Sequence, residues 1–365
     1  MSSTEFIPGA ALNEMFYHEV VKPILAKNFP AVAYSAALIG YGSDVLGYDT
    51  PISTDHNWGP RLTLFLSPED HPKCDQAIHA SLQQELPAAF RGYSVNYSQP
   101  DANDNGTQRM QPIESGAINH LIRIGTVPLF FERSLGIDPD RGIGWVDWLT
   151  FTEQALLQVT RGHVYHDELG LAPRIAKLAY FPRDVWLYRM AAQWQRISQQ
   201  EAFVGRCGDV GDELGSRINA TRVVRDLIKL SFLIARQYAP YDKWLGTAFA
   251  RLDCARQLAP IFTRVLNAQE WQKRETPLCE AYVILAEMQN ALGVAERVEP
   301  TITPYFGRPY RVIFAGRFAQ ANLNAIQEPA IKKLRGLIGG VDQFADCTDV
   351  TSNIQECRKL RVLYD

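Results

Sequence analysis

A polar segment early in the chain carries the side chain types of a metal-dependent nucleotide site. Gly42 would let backbone amides approach a phosphate, and the hydroxyl of Ser43 could bond a phosphate oxygen. Asp49 and Asp55 follow, and Asn57 lies two residues after Asp55. Mg²⁺ takes only a few protein oxygens and completes its shell with water and phosphate oxygens. We therefore predict that Asp55, Asp49 and Asn57 bind Mg²⁺ or Mn²⁺. Gly42 and Ser43 would hold the triphosphate of an NTP.

The catalytic roles in such a site fall to the acids and to the histidine beside them. Asp55 and Asp49 would anchor the metal for an in-line displacement in which positive charge stabilises the transition state. His56 could act as a general base, because an imidazole ordinarily titrates near neutrality. It could equally be a hydrogen-bonded structural histidine. The whole segment is also explained as a turn-rich loop in which its Asp and Asn side chains accept hydrogen bonds from backbone amides.

Arginines supply the charge that a departing pyrophosphate requires. Arg61 ends the polar segment, and Arg222 and Arg225 lie on a helix predicted from Ser216. On that helix they share about 60° of arc with two further basic residues when 100° is counted per residue. A basic stripe of this kind is also typical of a solvated helix face. Glycines and acids just before the helix, in residues 205–215, could bind anions or could simply connect two helices.

The spacing of these residues resembles a known signature. A Gly-Ser pair, a linker, an acid and then a hydrophobic strand resemble the polymerase-beta-like nucleotidyltransferase superfamily, in which a second acid lies two residues after the first. Here that position is Asn57, whose amide oxygen brings no negative charge and should lower metal affinity. Resemblance to kanamycin-type relatives implies a third carboxylate on a strand at Tyr93–Tyr97, and this stretch holds no acid.

Four motifs together are similar to one family. They are Gly42-Ser43 with Asp49, the run Asp55 to Arg61, the run Arg196 to Arg206, and the run Tyr238 to Trp244. They resemble the nucleotidyltransferase-like family catalogued as domain of unknown function 4037, over most of the chain. The resemblance implies an N-terminal nucleotidyltransferase sheet, a C-terminal helical substrate domain and a cleft between them.

The composition of the whole chain indicates what kind of protein would carry this site. With 365 residues, 46% hydrophobic and 21% charged, the chain is expected to be globular with two domains. A formal charge of -3 indicates no general attraction to nucleic acid or to anionic membranes. Six cysteines without CxxC pairs favour a reduced protein. The N-terminus has no leader-like pattern, and no apolar run reaches the length of a membrane span. We expect a cytoplasmic protein and leave its oligomeric state open.

The elements that would position the site make an α+β fold. Apolar runs at 31–41 and 62–66 predict two strands that flank the polar segment, with helices at 11–26 and 71–90 beside them. Long helical patterns begin near residue 181 and predict an antiparallel bundle. We therefore predict an α/β nucleotidyltransferase-like domain at 1–180, a helical bundle at 181–300 and a strand and helix extension at 301–365.

Three functions follow from these patterns. The first is a metal-dependent enzyme that transfers a nucleoside monophosphate from an NTP to a hydroxyl of an unknown acceptor, either a small molecule or a protein. The alternative is a catalytically degenerate protein of the same fold that binds a nucleotide or metabolite. A third, an interaction module, is suggested by tryptophans at 186, 194, 244 and 271. Aromatic residues at helical spacing are more often part of a core.

Overall fold

The computed structural model describes residues 5–334 and 336–365, and it contains short strands and many helices. The strands are β1 (Tyr34–Leu38), β2 (Arg61–Leu66), β3 (Ala89–Phe90), β4 (Tyr93–Ser94), β5 (Leu121–Thr126), β6 (His163–Asp167), β7 (Thr303–Pro304) and β8 (Arg311–Val312). The helices are α1 (Gly9–Phe16), α2 (Lys22–Asn28), α3 (Ser43–Leu46), α4 (His71–Glu85), α5 (Val127–Leu135), α6 (Trp145–Thr150), α7 (Glu153–Thr160), α8 (Leu171–Ala176), α9 (Arg183–Gln200), α10 (Phe203–Asp209), α11 (Glu213–Ile234), α12 (Asp242–Phe249), α13 (Ala255–Asn267), α14 (Trp271–Ala291), α15 (Gly316–Ala325), α16 (Pro329–Lys332), α17 (Val341–Phe344), α18 (Thr348–Thr351) and α19 (Ile354–Lys359). A π-helical turn, Tyr17–Val21, joins α1 to α2, and 3₁₀ turns occupy Pro51–Asp55 and Leu360–Tyr364.

The chain divides into two compact units. The first comprises residues up to Gly142 together with Ala155–Ala179, and the second comprises Ile143–Gln154 together with Tyr180–Asp365. The predicted boundary at residue 180 lies next to the observed one. The prediction differs in two places, because the short segment from Ile143 belongs to the second unit and residues 301–365 belong there as well. The first four residues of the predicted first domain lie outside the described residues.

A four-stranded mixed sheet forms the centre of the first unit. Its strand order is β5-β2-β1-β6, with β1 antiparallel to both β2 and β6 and with β2 parallel to β5. The central strands β1 and β2 are buried along almost their whole length, which explains their nearly continuous apolar sequence. The predicted α+β class with a small mixed sheet is therefore confirmed.

Two predicted elements near the sheet are different in the structure. Helix α4 ends at Glu85 instead of residue 90, because Pro87 disfavours a helical conformation for Leu86, whose ψ is 139°. The predicted strand at Tyr93–Tyr97 is reduced to β4, which pairs with β3 in a separate hairpin. The fourth sheet position beside β2 is occupied by β5, which the sequence pattern did not predict.

The second unit is mainly helical. Helix α9 packs against α11 and α15, while α14 packs against α11 and α13. Three of the four tryptophans that suggested an interaction module, Trp186, Trp194 and Trp271, are buried in this unit. Their burial assigns them to the core. Among the described residues, none of the helices has both the length and the apolar character needed to cross a membrane.

A buried charge network links separate elements of the second unit. Arg189 is fully buried, and its Nη2 donates to Glu153 Oε1 at 2.8 Å and to Asp342 Oδ1 at 2.7 Å. Glu153 Oε2 accepts from the backbone N–H of Ala239 at 2.7 Å, and Lys229 Nζ donates to the backbone oxygen of Asp342 at 2.9 Å. Each acid is thus compensated, as burial of charge requires.

Candidate functional site

Strand directions bring the predicted site segments to one edge of the sheet. Ala37 of β1 lies opposite Thr63 of β2, and Arg61 of β2 lies opposite Leu121 of β5. Because β1 runs antiparallel to β2 and β2 runs parallel to β5, the end of β1 and the starts of β2 and β5 lie at the same edge. The Gly-Ser pair follows β1, and the acidic segment precedes β2. Both segments therefore adjoin the same edge of the sheet, and the roles predicted for their side chains stay predictions.

Gly42 and Ser43 form a tight turn into α3. Gly42 has φ 133°, and a Cβ there would lie 2.1 Å from Asp44 Oδ1 and 2.3 Å from Arg61 Nη2. Only glycine fits this conformation and this space. The backbone oxygen of Ser43 accepts from Tyr48 N–H at 2.8 Å. Within the described part of the chain, the Ser43 hydroxyl makes no hydrogen bond.

Arg61 is paired with a neighbouring acid, Asp44, that the sequence reasoning did not select. Its Nε and Nη2 donate to Asp44 Oδ2 at 3.0 Å and Oδ1 at 2.7 Å, and Nη2 also donates to the Tyr41 oxygen at 2.8 Å. Both side chains are buried. Burial disfavours the charged guanidinium, but the Asp44 charge outweighs burial and leaves the pKa of Arg61 above its ordinary value. This pairing leaves Arg61 little freedom to contact a ligand phosphate.

Asp49 is engaged by two protein donors. Its Oδ2 accepts from the backbone N–H of Gly9 at 2.6 Å and from Trp58 Nε1 at 3.0 Å. Trp58 is buried, and it also stacks on Phe6 with ring centroids 5.6 Å apart. Asp49 thus connects the start of α1 to the core, which agrees with the loop interpretation of this residue.

Asn57 pairs with a distant loop. Its N–H donates to the Gln108 oxygen, and its Oδ1 accepts from the Gln108 N–H, both at 2.9 Å. Asn57 has φ 45°, a left-handed conformation that asparagine tolerates better than most residues. The residue therefore acts as a structural bridge between the acidic segment and residues 98–111.

Asp55 and His56 are exposed and lie in a small charged cluster. His56 Nδ1 is 2.9 Å from Asp55 Oδ1, and His56 Nε2 is 3.8 Å from Asp104 Oδ2. Arg109 Nη2 donates to Asp104 Oδ2 at 3.3 Å, and Arg109 Nε donates to the Asp55 backbone oxygen at 3.3 Å. The hydrogen bond from His56 holds the pKa of Asp55 below its ordinary value.

These contacts bear on the predicted metal site. One side-chain oxygen of Asp49 and the amide oxygen of Asn57 already accept protein N–H groups, and Asp55 shares an oxygen with His56. Across residues 5–334 and 336–365, there is no group of three or more His, Cys, Asp or Glu side chains arranged to hold an ion. Metal binding by these residues stays a prediction.

An arginine on the unexpected strand β5 adds positive charge at this edge. Arg123 is exposed, its Nη2 donates to the Tyr41 hydroxyl at 2.7 Å, and its guanidinium lies 4.6 Å from the Tyr41 ring centroid. The Arg61 guanidinium lies 5.0 Å from the same centroid. Tyr41 is therefore held between two arginines, two residues before Ser43.

A cavity of about 440 Å³ lies in the loop 98–111, beside the acidic segment. Its walls include Gln99, Asp101, Arg109, Met110 and Gln111. The loop crosses back on itself, since Ser98 N–H donates to the Arg109 oxygen at 2.8 Å and Asp101 N–H donates to the Thr107 oxygen at 3.0 Å.

The other predicted phosphate ligands, Arg222 and Arg225, lie on α11 in the second unit. Arg225 Nε and Nη2 donate to the two carboxylate oxygens of Asp242 at 3.1 and 3.0 Å. Arg222 is exposed. Arg225 is thus already paired, and Lys229 of the same basic stripe donates to the backbone oxygen of Asp342.

The glycine-rich stretch before α11 is largely helical. Helix α10 spans part of it, and Cβ atoms at Gly205 and Gly208 would lie 2.2 Å from Tyr310 and 2.1 Å from Trp271. These glycines permit close packing of a helix on aromatic rings. The proposed anion loop is therefore wrong, and the connector interpretation is closer to the structure.

Asp44, Arg109 and Arg123 are the candidate site residues that sequence reasoning missed. Asp44 directly follows the Gly-Ser pair, and its position was the one available signal. Arg109 reaches the Asp55 segment through the loop fold, and Arg123 reaches Tyr41 through the β2–β5 pairing. Neither contact is visible in local spacing.

Comparison with known proteins finds one family model that matches part of the chain. Residues 148–245 match the model of a family described as domain of unknown function (DUF4037). The family resemblance is confirmed for this segment. The chain is also similar to the crystal structure of a nucleotidyltransferase-like protein from Exiguobacterium sibiricum, with 11% identity, a TM-score of 0.32, and coverage of 77% of this chain and 78% of that chain. A search of curated proteins finds no significant match.

Proposed function

We propose that the first unit binds the phosphate groups of a nucleotide or of a related metabolite without supporting metal-dependent transfer. In this view the chain is a catalytically degenerate protein of nucleotidyltransferase-like fold. The ligand phosphates would lie at the sheet edge that carries Gly42 and Ser43.

This proposal rests on the hydrogen bonds and the ion pair that already occupy two of the acids. Asp49 holds Gly9 and Trp58, and Asp44 neutralises Arg61 inside the protein. Asp55 is then the one exposed carboxylate among these three. A two-metal centre needs several carboxylates that converge on the ions and on the phosphates. A single exposed acid supports binding better than it supports in-line transfer.

Two groups suit a phosphate without a metal. The Ser43 hydroxyl is a donor with no hydrogen bond inside the described structure. Arg123 is an exposed cation beside Tyr41, and guanidinium groups bind phosphate through paired N–H donors. A charge-assisted hydrogen bond of this type contributes about 1.5–3 kcal/mol.

The second candidate is the metal-dependent enzyme, which moves a nucleoside monophosphate from an NTP to a hydroxyl. One observation favours it. Asp55 is exposed in the segment that precedes β2, and its hydrogen bond with His56 lowers its pKa. Under this candidate, Mg²⁺ or Mn²⁺ would bind Asp55 together with the phosphates of the NTP.

Calorimetry with NTPs, in Mg²⁺ or in a chelator, tests the proposal. We expect equal affinity in both buffers and no transfer of label to an added metabolite mixture. Ser43→Ala and Arg123→Gln should each weaken the affinity about tenfold, a loss of about 1.4 kcal/mol. Arg133→Gln, at another exposed arginine of the same unit, should leave the affinity unchanged.

The opposite result would favour the enzyme. Binding that requires Mg²⁺, label transfer from the NTP, and loss of that transfer in Asp55→Ala would together overturn the binding-only proposal. Absence of NTP binding in every buffer would overturn both candidates.

A further inference from the structure

The cavity in the loop 98–111, which we call the loop cavity, has the size of a small-molecule site. Its volume of about 440 Å³ lies inside the range of about 300–1,000 Å³ that is usual for ligand pockets. Its walls come from two runs of one loop, which pair at Asp101 and Thr107. The loop is fixed to the acidic segment through Asn57 and Gln108, so the cavity has a defined position in the first unit.

Side chains of opposite charge line the loop cavity. Asp101 contributes a carboxylate, of which Oδ1 accepts from the Asn103 N–H at 2.9 Å. Arg109 contributes a guanidinium, whose Nε donates to the Asp55 backbone oxygen and whose Nη2 donates to Asp104 Oδ2, both at 3.3 Å. Among the described residues, no hydrogen bond is formed by Asp101 Oδ2 or by Arg109 Nη1. Each charged side chain therefore keeps one atom available to a ligand.

The rest of the wall is neutral and mixed in character. Gln99 and Gln111 present amides that can both donate and accept hydrogen bonds. Met110 contributes apolar surface to the wall. Met110 is also anchored, since it lies against Gly59, where a Cβ would be 2.8 Å from its sulfur. This wall suits a polar ligand with a modest apolar part.

We propose that the loop cavity binds a small zwitterion, an amino acid or a short peptide. Its ammonium group would face Asp101, and its carboxylate would face Arg109. A ligand with a single charge could pair with Asp101 or with Arg109, but not with both. A zwitterion satisfies both charges.

This site is distinct from the phosphate edge described above. Arg109 donates to the backbone oxygen of Asp55, so a carboxylate on Arg109 would lie next to the segment that holds the exposed acid. The inference does not depend on nucleotide binding. It adds a second ligand of a different chemical class to the first unit.

Calorimetry on the full-length chain tests the inference with three kinds of probe. The zwitterions are leucine, glutamine and the dipeptide glycylglycine, and propionate and propylamine carry one charge each. We expect at least one zwitterion to bind about tenfold or more tightly than both single-charge probes. Asp101→Asn should remove most of that advantage over propionate, and Arg109→Gln should remove most of it over propylamine.

A matched surface pair serves as the control. Asp138 and Arg141 form an exposed ion pair in the same unit at 3.4 Å, so Asp138→Asn and Arg141→Gln should leave zwitterion affinity unchanged. All four variants change exposed or half-buried polar groups, and circular dichroism verifies their fold.

Three results would overturn the inference. One is the absence of binding by every zwitterion at about 10 mM, a concentration that would saturate a site with a Kd of 1 mM. Another is equal affinity for propionate and for the zwitterions. The third is displacement of the zwitterion from Arg109 by inorganic pyrophosphate with no other additive. This result would assign the cavity to the phosphate ligand instead.

Discussion

The ion pair between Asp44 and Arg61 gives the sharpest test of how the first unit is built. Asp44→Asn keeps the shape of the side chain but leaves the Arg61 guanidinium buried without an opposite charge. Arg61 is 6% exposed and Asp44 is 1% exposed, so water cannot replace the lost partner. Removing one member of a buried ion pair costs about 3–5 kcal/mol. We expect a loss of this size in the unfolding free energy of the first unit.

The measurement must report on the first unit alone, because a chain with two compact units need not unfold in one step. Hydrogen exchange followed by mass spectrometry gives opening free energies for peptides from β1 and β2. The double variant Asp44→Leu with Arg61→Met replaces both charges by apolar groups and should recover most of the loss. Asp140→Asn, at an exposed pair with Arg174, should cost less than about 1 kcal/mol.

Two outcomes would refute this reasoning. If Asp44→Asn costs no more than Asp140→Asn, the buried pair does not hold the turn after β1. If the double variant is as unstable as Asp44→Asn, the loss does not come from an uncompensated charge. In that second case, the hydrogen bond from Arg61 to the Tyr41 oxygen would be the contact to test next.

Further predictions concern the second unit. Gly208→Ala should cost more than about 2 kcal/mol in unfolding free energy, because its Cβ would lie 2.1 Å from Trp271 and overpacking is expensive. Gly246→Ala, in α12 with open space around it, should instead stabilise by about 0.5–1 kcal/mol. Thermal denaturation of both variants checks these signs. Burial raises the pKa of Glu201 from 4.5 to about 7, so the folded form holds a proton that the unfolded form releases. The unfolding free energy should therefore fall by about 3 kcal/mol as pH rises from about 4.5 to about 7. Glu201→Gln should abolish this pH dependence and change the unfolding free energy by the same amount at every pH.

The central strands of the sheet could be predicted, and the edge strand β5 could not. Strands β1 and β2 are apolar over most of their length because both faces are covered, and such runs are visible in any sequence. Strand β5 includes the exposed Arg123 and the half-buried Gly125, so its pattern is weak. Its place is fixed by parallel pairing with β2, a contact between distant parts of the chain.

The sequence indicated where the polar segment lies, but it did not indicate which of its side chains are already hydrogen-bonded. The polar segment was predicted to lie between two apolar strands, and β1 and β2 do flank it. Spacing could not indicate that Asp49 is held by Gly9 and that Asn57 is held by Gln108, because both partners are remote in sequence. Whether an acid is free depends on such partners, and the residue types alone do not reveal them.

The first unit is discontinuous, and this has a consequence for its biosynthesis. The chain leaves that unit after Gly142 and returns at Ala155, and only then supplies β6, which pairs with β1 through Ser35 and Asp167. A ribosome must therefore release residues through Asp167 before β1 acquires its second neighbour. Until then, the open side of β1 exposes unpaired backbone groups, to which another nascent chain could add. Truncation at residue 142 should consequently yield an insoluble fragment, and extension to residue 179 should restore its solubility.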